Sequence, residues 1–225
     1  MIFQMSMSMG GISLISRLLT KIQEVWCMLG QYPIFKRRTF LLESIKEVGD
    51  FAITRSAFIA QKTMFGYVKT RMGTSYPEMF RDDLMVESLK EATMHHYSAC
   101  LSDLTIFVLK ALVDQRFLDC STAEKYALLI FRKGLEMNTN PSLKRFKIDD
   151  ACASFEARIR VFAWPEQLDP FVLFRESPRS LGKWAPIADE FKRLDQEIAE
   201  NSVSFAWIEV RREFYDLLHW QDREL

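Results

Sequence analysis

The feature that most constrains the fold is the run of residues 34–117, which reads as two long helices joined by a tight turn at residues 73–77, Gly-Thr-Ser-Tyr-Pro. In the first of these helices, residues 34–72, an apolar side chain recurs every seven residues, at Phe51, Phe58, Phe65 and Met72. This period is typical of a helix that packs lengthwise against a partner helix. The second helix is predicted at residues 81–117, so the sequence predicts an antiparallel hairpin about 50 Å long.

Charged side chains lie beside the apolar ones at matching spacing. A basic row follows the three phenylalanines by four residues each: Arg55, Lys62 and Lys69. The second helix carries an acidic row at the same spacing: Asp83, Glu87 and Glu91. In an antiparallel hairpin, Lys69 and Lys62 are expected at the height of Asp83 and Glu91, which predicts ion pairs that fix the register.

The rest of the chain also has the three- and four-residue spacing of apolar side chains that indicates helix. Further helices are predicted at residues 12–29, 121–138, 148–164 and 185–220. The helix at 121–138 is expected to begin with a capping box formed by Ser121 and Glu124. The last helix, bent or divided in two, is expected to turn these apolar residues to the core: Phe191, Leu194, Ile198, Phe205, Ile208, Tyr215 and Leu218.

These patterns predict an all-α fold, a bundle of six or seven helices organised on the long hairpin. A single domain is expected over residues 12–225, after a disordered stretch at 1–11. Four prolines lie between Trp164 and Pro186, and this composition predicts an irregular segment or a subdomain boundary at 164–186.

The composition excludes several classes of protein. Thirty basic and thirty acidic residues cancel, which argues against a mainly electrostatic nucleic-acid binder. The four cysteines never approach a C-x-x-C spacing, so the sequence predicts reduced thiols in a cytoplasmic protein and indicates no cofactor. No transmembrane segment is predicted. The G-x-S-x-G, G-x-G-x-x-G and P-loop motifs are absent, which weighs against common hydrolases and nucleotide-binding enzymes.

The candidate metal ligands are Glu87, Glu91 and His95, on adjoining turns of one helical face. Di-iron sites in bundles use a Glu-x-x-His pair on each of two helices, whereas the spacing from Glu91 to His95 is four, and the same residues also fit the acidic row. On another face, Asp103 interrupts an apolar stretch, so it is expected to be hydrogen-bonded or to act as a tuned acid. His96 lies two turns away and cannot touch it. A Cys-His pair of Cys100 or Cys152 with His96 or His219 stays open, and no local signature supports it.

Two segments are candidates for contacts with other molecules. Aromatic and arginine side chains, which are enriched in interaction hot spots, mark a surface within 164–186: Trp164, Phe171, Phe174, Arg175, Arg179 and Trp184. The amphipathic helix at 12–29, followed by the basic run Lys36-Arg-Arg38, is suited to a homodimer contact or to an anionic membrane surface.

The sequence thus favours a non-enzymatic helical protein that acts through protein–protein contacts. One alternative is a metal-binding or small-molecule enzyme with a site between helices near Glu87, Glu91, His95 and Asp103. Another is peripheral membrane attachment through the helix at 12–29.

Overall fold

The computed structural model describes residues 41–139 and 143–219. Within these residues the chain forms seven α-helices and one 3₁₀ helix, and an isolated bridge joins Leu42 to Leu218. The helices are α1 (Ile45–Met72), α2 (Asp83–Asp114), α3 (Cys120–Asn138), α4 (Ile148–Arg160), α5 (Pro170–Leu173), α6 (Glu176–Trp184) and α7 (Asp189–Leu217), with the 3₁₀ helix at Gly73–Arg81. The predicted all-α helical bundle is confirmed for this part of the chain.

The start of α1 is set by a capping box. The Ser44 side chain accepts a hydrogen bond from the Glu47 backbone N–H, and the Glu47 carboxylate accepts one from the Ser44 N–H. The prediction of an unbroken helix from residue 34 was therefore wrong, because a helix that starts at Ser44 cannot include residues 41–43. Instead, Leu42 donates its N–H to Leu217 and accepts from His219, which ties the entry of α1 to the end of α7.

α2 is the central helix, and it packs against α1, α3, α5 and α6. Every residue from 100 to 112 is buried. α2 is also the one described helix with the length and hydropathy of a membrane span, and 83% of its most apolar window is buried inside the bundle. The central helix of a globular bundle has the same character, so this likeness is weak evidence for a span, and the absence of a transmembrane segment stays a prediction.

α1 and α2 pack against each other, but the expected pairing of their charge rows was wrong at Lys62 and Glu91. Glu91 accepts hydrogen bonds from backbone N–H groups of the segment before α4, and Lys62 lies over the ring of Phe58. The basic side of α1 instead faces α7, where Arg55 pairs with Glu213 and Arg71 with Asp195.

Two predicted helix boundaries shift. The N-cap of α3 is Asp119, whose carboxylate accepts from the Thr122 N–H, and not Ser121. α4 ends at Arg160, short of the predicted residue 164. The segment 164–186, predicted to be irregular or a subdomain boundary, contains α5 and α6, and α6 packs on α2 and α7.

α7 is one continuous helix, and its orientation is the largest departure from the sequence-based expectation. The side buried in the bundle is Ala199, Val203, Trp207, Val210 and Phe214. The apolar side predicted to face the core is mostly exposed: Phe191, Leu194, Ile198, Phe205, Ile208 and Tyr215. α7 therefore has two apolar stripes at helical spacing, and only one of them is buried in the described structure.

Candidate functional site

The outward stripe of α7 is an exposed apolar surface. Leu194 is 77% exposed, Ile198 70% and Phe205 67%, and Phe191 and Ile208 are also exposed. Together they are called here the outer seam: Phe191, Leu194, Ile198, Phe205 and Ile208. Single exposed apolar residues are ordinary on protein surfaces, whereas several of them along one face of a helix indicate a candidate contact site.

A groove of about 590 Å³ runs between α1 and α7 beside the outer seam. Ile198 and Phe205 line it on the α7 side, and Lys62 and Arg71 line it on the α1 side. Most of the remaining lining residues are small: Thr63, Gly66, Thr70, Ala199, Ser202 and Ala206. Small residues let another backbone approach closely, so the shape suits an added helix.

Ion pairs hold the two walls of the α1–α7 groove together. Asp195, which is buried, pairs with Arg71 and also accepts from the Tyr67 hydroxyl at 3.1 Å. The Arg71 guanidinium lies 5.4 Å from the ring centroid of Phe191, at the edge of the outer seam. These contacts fix the groove without covering its apolar side.

A second concave region lies on another part of the bundle, between α2, α4 and the segment 143–147. This polar cleft has a volume of about 420 Å³. Phe131 and Phe155 line it and stack on each other, with ring centroids 4.1 Å apart. At one edge the ring of His95 stacks on Trp184 at 3.5 Å and meets the edge of Phe146.

The cationic side chains around the polar cleft differ in whether they have hydrogen-bond partners. Arg158 donates to Asp103, to the Ser102 hydroxyl and to the Leu173 carbonyl. Arg145 and Lys147 also line the cleft and are exposed. Their side chains make no ion pair or hydrogen bond with the described residues. Both cationic groups can therefore pair with a ligand in the cleft.

The three predicted metal ligands do not converge. Glu91 accepts the N–H groups of Lys144 (2.6 Å), Arg145 (2.9 Å) and Phe146 (3.1 Å). Glu87 pairs with the Lys144 ammonium group at 3.4 Å, and His95 stacks on Trp184. Among the described residues, no group of three His, Cys, Asp or Glu side chains lies close enough to hold a metal ion.

Asp103 joins three elements of the bundle. Its carboxylate pairs with Arg158 of α4 at 2.7 Å and accepts from the Ser177 N–H at 2.7 Å and the Ser177 hydroxyl at 2.6 Å, at the start of α6. Arg175, at the N-cap position of α6, makes no capping hydrogen bond with its side chain. The Asp103 carboxylate caps α6 in its place. Burial raises the pKa of Asp103, and the Arg158 guanidinium and the Ser177 hydrogen bonds act in the opposite direction.

His96 is held in a separate buried network. One ring nitrogen lies 2.6 Å from the Ser180 hydroxyl, and the other lies 2.8 Å from the Thr63 hydroxyl. Burial lowers the pKa of His96 to about 3, so the ring is neutral at physiological pH. Cys100 lies 3.8 Å from His96, but burial raises the pKa of its thiol well above the usual value, which disfavours the nucleophilic thiolate.

The structure divides the predicted surface at 164–186 between the core and the exterior. Trp164 and Phe174 are buried, and the Phe171 side chain lies outside the described part of the structure. Arg175 and Arg179 are exposed, and the Trp184 side chain is 36% exposed. The outer seam, in contrast, was missed as a surface, although its members stand at positions 191, 194, 198, 205 and 208, the spacing of an unpaired heptad seam.

In comparisons with known proteins, no family model matches the chain, and no curated protein or solved structure matches it either. The predicted helix at 12–29 and the basic run at 36–38 lie outside the described residues, so the roles predicted for them stay predictions.

Proposed function

We propose that this protein is a non-enzymatic binding protein that receives an amphipathic helix along the outer seam and in the adjoining α1–α7 groove. The observation that carries the proposal is the outer seam itself, five large apolar side chains exposed along one face of a helix whose opposite face is already buried. Helix-in-groove recognition uses anchors at this spacing. The expected cytoplasmic location agrees with this function and stays a prediction.

The energetics favour a covered seam. Full burial of one Leu, Ile or Phe side chain contributes about 1.5 to 3 kcal/mol. Association costs several kcal/mol in lost translational and rotational freedom, of the order of 4 to 15. A single exposed side chain does not offset that cost. The five side chains of the outer seam are already partly buried, and together they contribute about 5 to 9 kcal/mol, which offsets a cost in the lower part of that range.

Photo-crosslinking tests whether the seam is a contact site in cells. Phe205 is replaced by p-benzoylphenylalanine, and Leu84, which is 76% exposed on α2, is replaced in the matched control. We expect a discrete adduct from position 205 that maps to a helical segment and is lost when Ile198→Asp is added. Equal yields from positions 205 and 84, or an adduct unaffected by Ile198→Asp, would contradict the proposal.

A second candidate function rests on the polar cleft. Two cationic side chains, Arg145 and Lys147, line the cleft near the buried, stacked rings of Phe131 and Phe155, and the carboxylates of Asp150 and Glu176 line it as well. The ligand favoured here is a small one whose anionic group pairs with the two cations and whose planar apolar part meets the edges of the rings. This candidate resembles the alternative drawn from the sequence, a small-molecule site near His95, but it involves no metal ion.

Phenyl phosphate is a suitable probe for the polar cleft, because it has one ring and one anion. We expect it to raise the melting temperature of the protein, and we expect Arg145→Ala to remove most of that rise. Arg179→Ala is the matched control, since Arg179 is exposed on α6 and does not line the cleft. No rise in melting temperature, or the same loss in both variants, would remove this candidate.

A further inference from the structure

We infer that the helix received by the outer seam is the chain's own segment 12–29. This inference rests on the proposed function, because it names the occupant of the same groove. The segment is predicted from its sequence to be an amphipathic helix with an apolar stripe that needs a partner surface. The outer seam offers such a surface within the same chain.

The two stripes share one repeat. On α7 the outer seam occupies alternating steps of three and four residues, interrupted at Asn201. In the segment 12–29 the same steps join five apolar residues: Ile15, Leu18, Ile22, Val25 and Leu29. Such a pattern on two helices is typical of lengthwise pairing, in which side chains of one helix fill the spaces on the other. The stripes also match in length, since Ile15 to Leu29 spans about 21 Å and Phe191 to Ile208 about 26 Å.

The point where the chain enters the described structure brings the segment to α7. Leu42 bridges Leu218 directly after the last turn of α7, with its N–H 2.7 Å from the Leu217 carbonyl oxygen. Twelve residues separate Leu29 from Leu42, and the thirteen steps from one to the other reach at most about 45 Å when fully extended. The outer seam therefore lies within the reach of the segment.

The length of the linker also favours one orientation of the segment along α7. If the segment lies parallel to α7, Leu29 comes near Ile208, which is about 14 Å along the helix from Leu217. If it lies antiparallel, Leu29 comes near Phe191, about 39 Å away, and the linker must be almost fully extended. An extended linker loses conformational freedom, so the parallel arrangement is the one the tether favours.

Tethering also favours the chain's own segment over other occupants. A short flexible linker gives a local concentration in the millimolar range. A second copy of the chain, or a separate protein with a similar helix, competes at its own concentration and prevails only where that concentration exceeds the local one. A partner that binds the outer seam must therefore displace residues 12–29, which makes the segment a built-in competitor.

Hydrogen exchange measured by mass spectrometry on the full chain tests this occupant. We expect amides of residues 12–29 to exchange roughly ten-fold or more slowly than an unfolded peptide of the same sequence. Ile198→Asp and Phe205→Asp should abolish that protection, while α7 itself stays protected by its buried side. Leu84→Asp, at an equally exposed leucine on α2, should leave the protection of residues 12–29 unchanged.

Three results would overturn the intramolecular occupant. One is rapid exchange of residues 12–29 in the unaltered chain, and another is protection that survives both seam variants. Protection that falls on dilution, together with a dimeric mass by light scattering, would assign the segment to a second copy and also overturn it. In each case a seam-dependent adduct from position 205 would still uphold the groove as a contact site, whereas failure of both experiments would remove the groove function as well.

Discussion

Asp103 has no exposure to solvent and ties α2 to α4 and α6 through Arg158 and Ser177. Asp103→Asn keeps the shape of the side chain but leaves the Arg158 charge unpaired. We expect a loss of roughly 2 to 3 kcal/mol in the free energy of unfolding in urea, below the 3 to 5 kcal/mol typical of a fully buried pair, because Arg158 reaches solvent. Arg160→Ala breaks the exposed pair with Glu156 and should cost less than about 1 kcal/mol. Equal losses would contradict this role of Asp103.

His96 makes the stability of the fold depend on pH. Its pKa is lowered to about 3 in the folded state by burial, whereas the unfolded value is about 6.5. The unfolded chain therefore binds more protons between these values, so the contribution is fully present above pH 6.5 and is lost as the pH falls toward 3. The expected slope is roughly 1 kcal/mol per pH unit.

The slope is tested with His96→Gln, which retains a polar group within reach of the Thr63 hydroxyl. Unfolding in urea at pH 8 first gives the cost of the substitution itself. Between pH 6.5 and 4.5 the unaltered protein should then lose stability faster than the variant. Parallel losses in the two proteins over this range would show that His96 does not account for the acid sensitivity.

At these two residues the sequence predicts a role but no partners. Asp103 stands out because it interrupts an apolar stretch, which indicates a buried carboxylate. Its partners Arg158 and Ser177 are 55 and 74 residues away in the chain. Since no local pattern links residues so far apart, the three-element contact is visible only in the folded structure.

Among the elements, the segment between α3 and α4 depends on one carboxylate. Glu91 of α2 accepts the N–H groups of three successive residues, 144–146, and so positions Arg145 and Lys147 beside the polar cleft. Glu91→Gln removes the charge that these donors share, at an expected cost of about 1 to 3 kcal/mol.

The measurement for this element is hydrogen exchange at residues 143–147, which should become faster in Glu91→Gln. Binding of phenyl phosphate should weaken in the same variant, because its cationic groups are no longer held. Glu87→Gln is the control, since Glu87 makes only the exposed pair with Lys144. An equal effect of both substitutions would show that the backbone contacts of Glu91 do not hold the segment.

α7 shows why the sequence predicted the element correctly and its orientation wrongly. Both of its stripes have helical spacing, and the outer one carries the larger side chains, so burial of the outer stripe was the natural expectation. The inner stripe is buried because Trp207 and Phe214 pack on aromatic side chains of the core. On the same helix Asp195 and Glu213 pair with Arg71 and Arg55 on α1. These long-range ion pairs leave no trace in the local pattern of α7.

For the molecule as a whole, apolar periodicity was sufficient to predict an all-α bundle and the approximate extent of most helices. It was not sufficient to place α2 at the centre, because centrality depends on which faces of the other helices meet it. The start of α1 was also misplaced. Leu42 does not continue the helix, because it bridges Leu218 at the other end of the described structure. A surface left without a partner emerges only when all the helices are assembled.

The central claim, that a helix covers the outer seam, is tested most directly by the accessibility of the seam in solution. Phe205→Cys and Leu84→Cys are labelled with a maleimide, and each site is quantified by peptide mass spectrometry, which separates it from the native cysteines. The described residues leave Phe205 67% exposed and Leu84 76% exposed, so without a cover the two sites should react at similar rates. We expect position 205 to react much more slowly than position 84 and to become as fast when Ile22→Asp is added. Equal rates in the otherwise unaltered chain would show that no helix covers the outer seam.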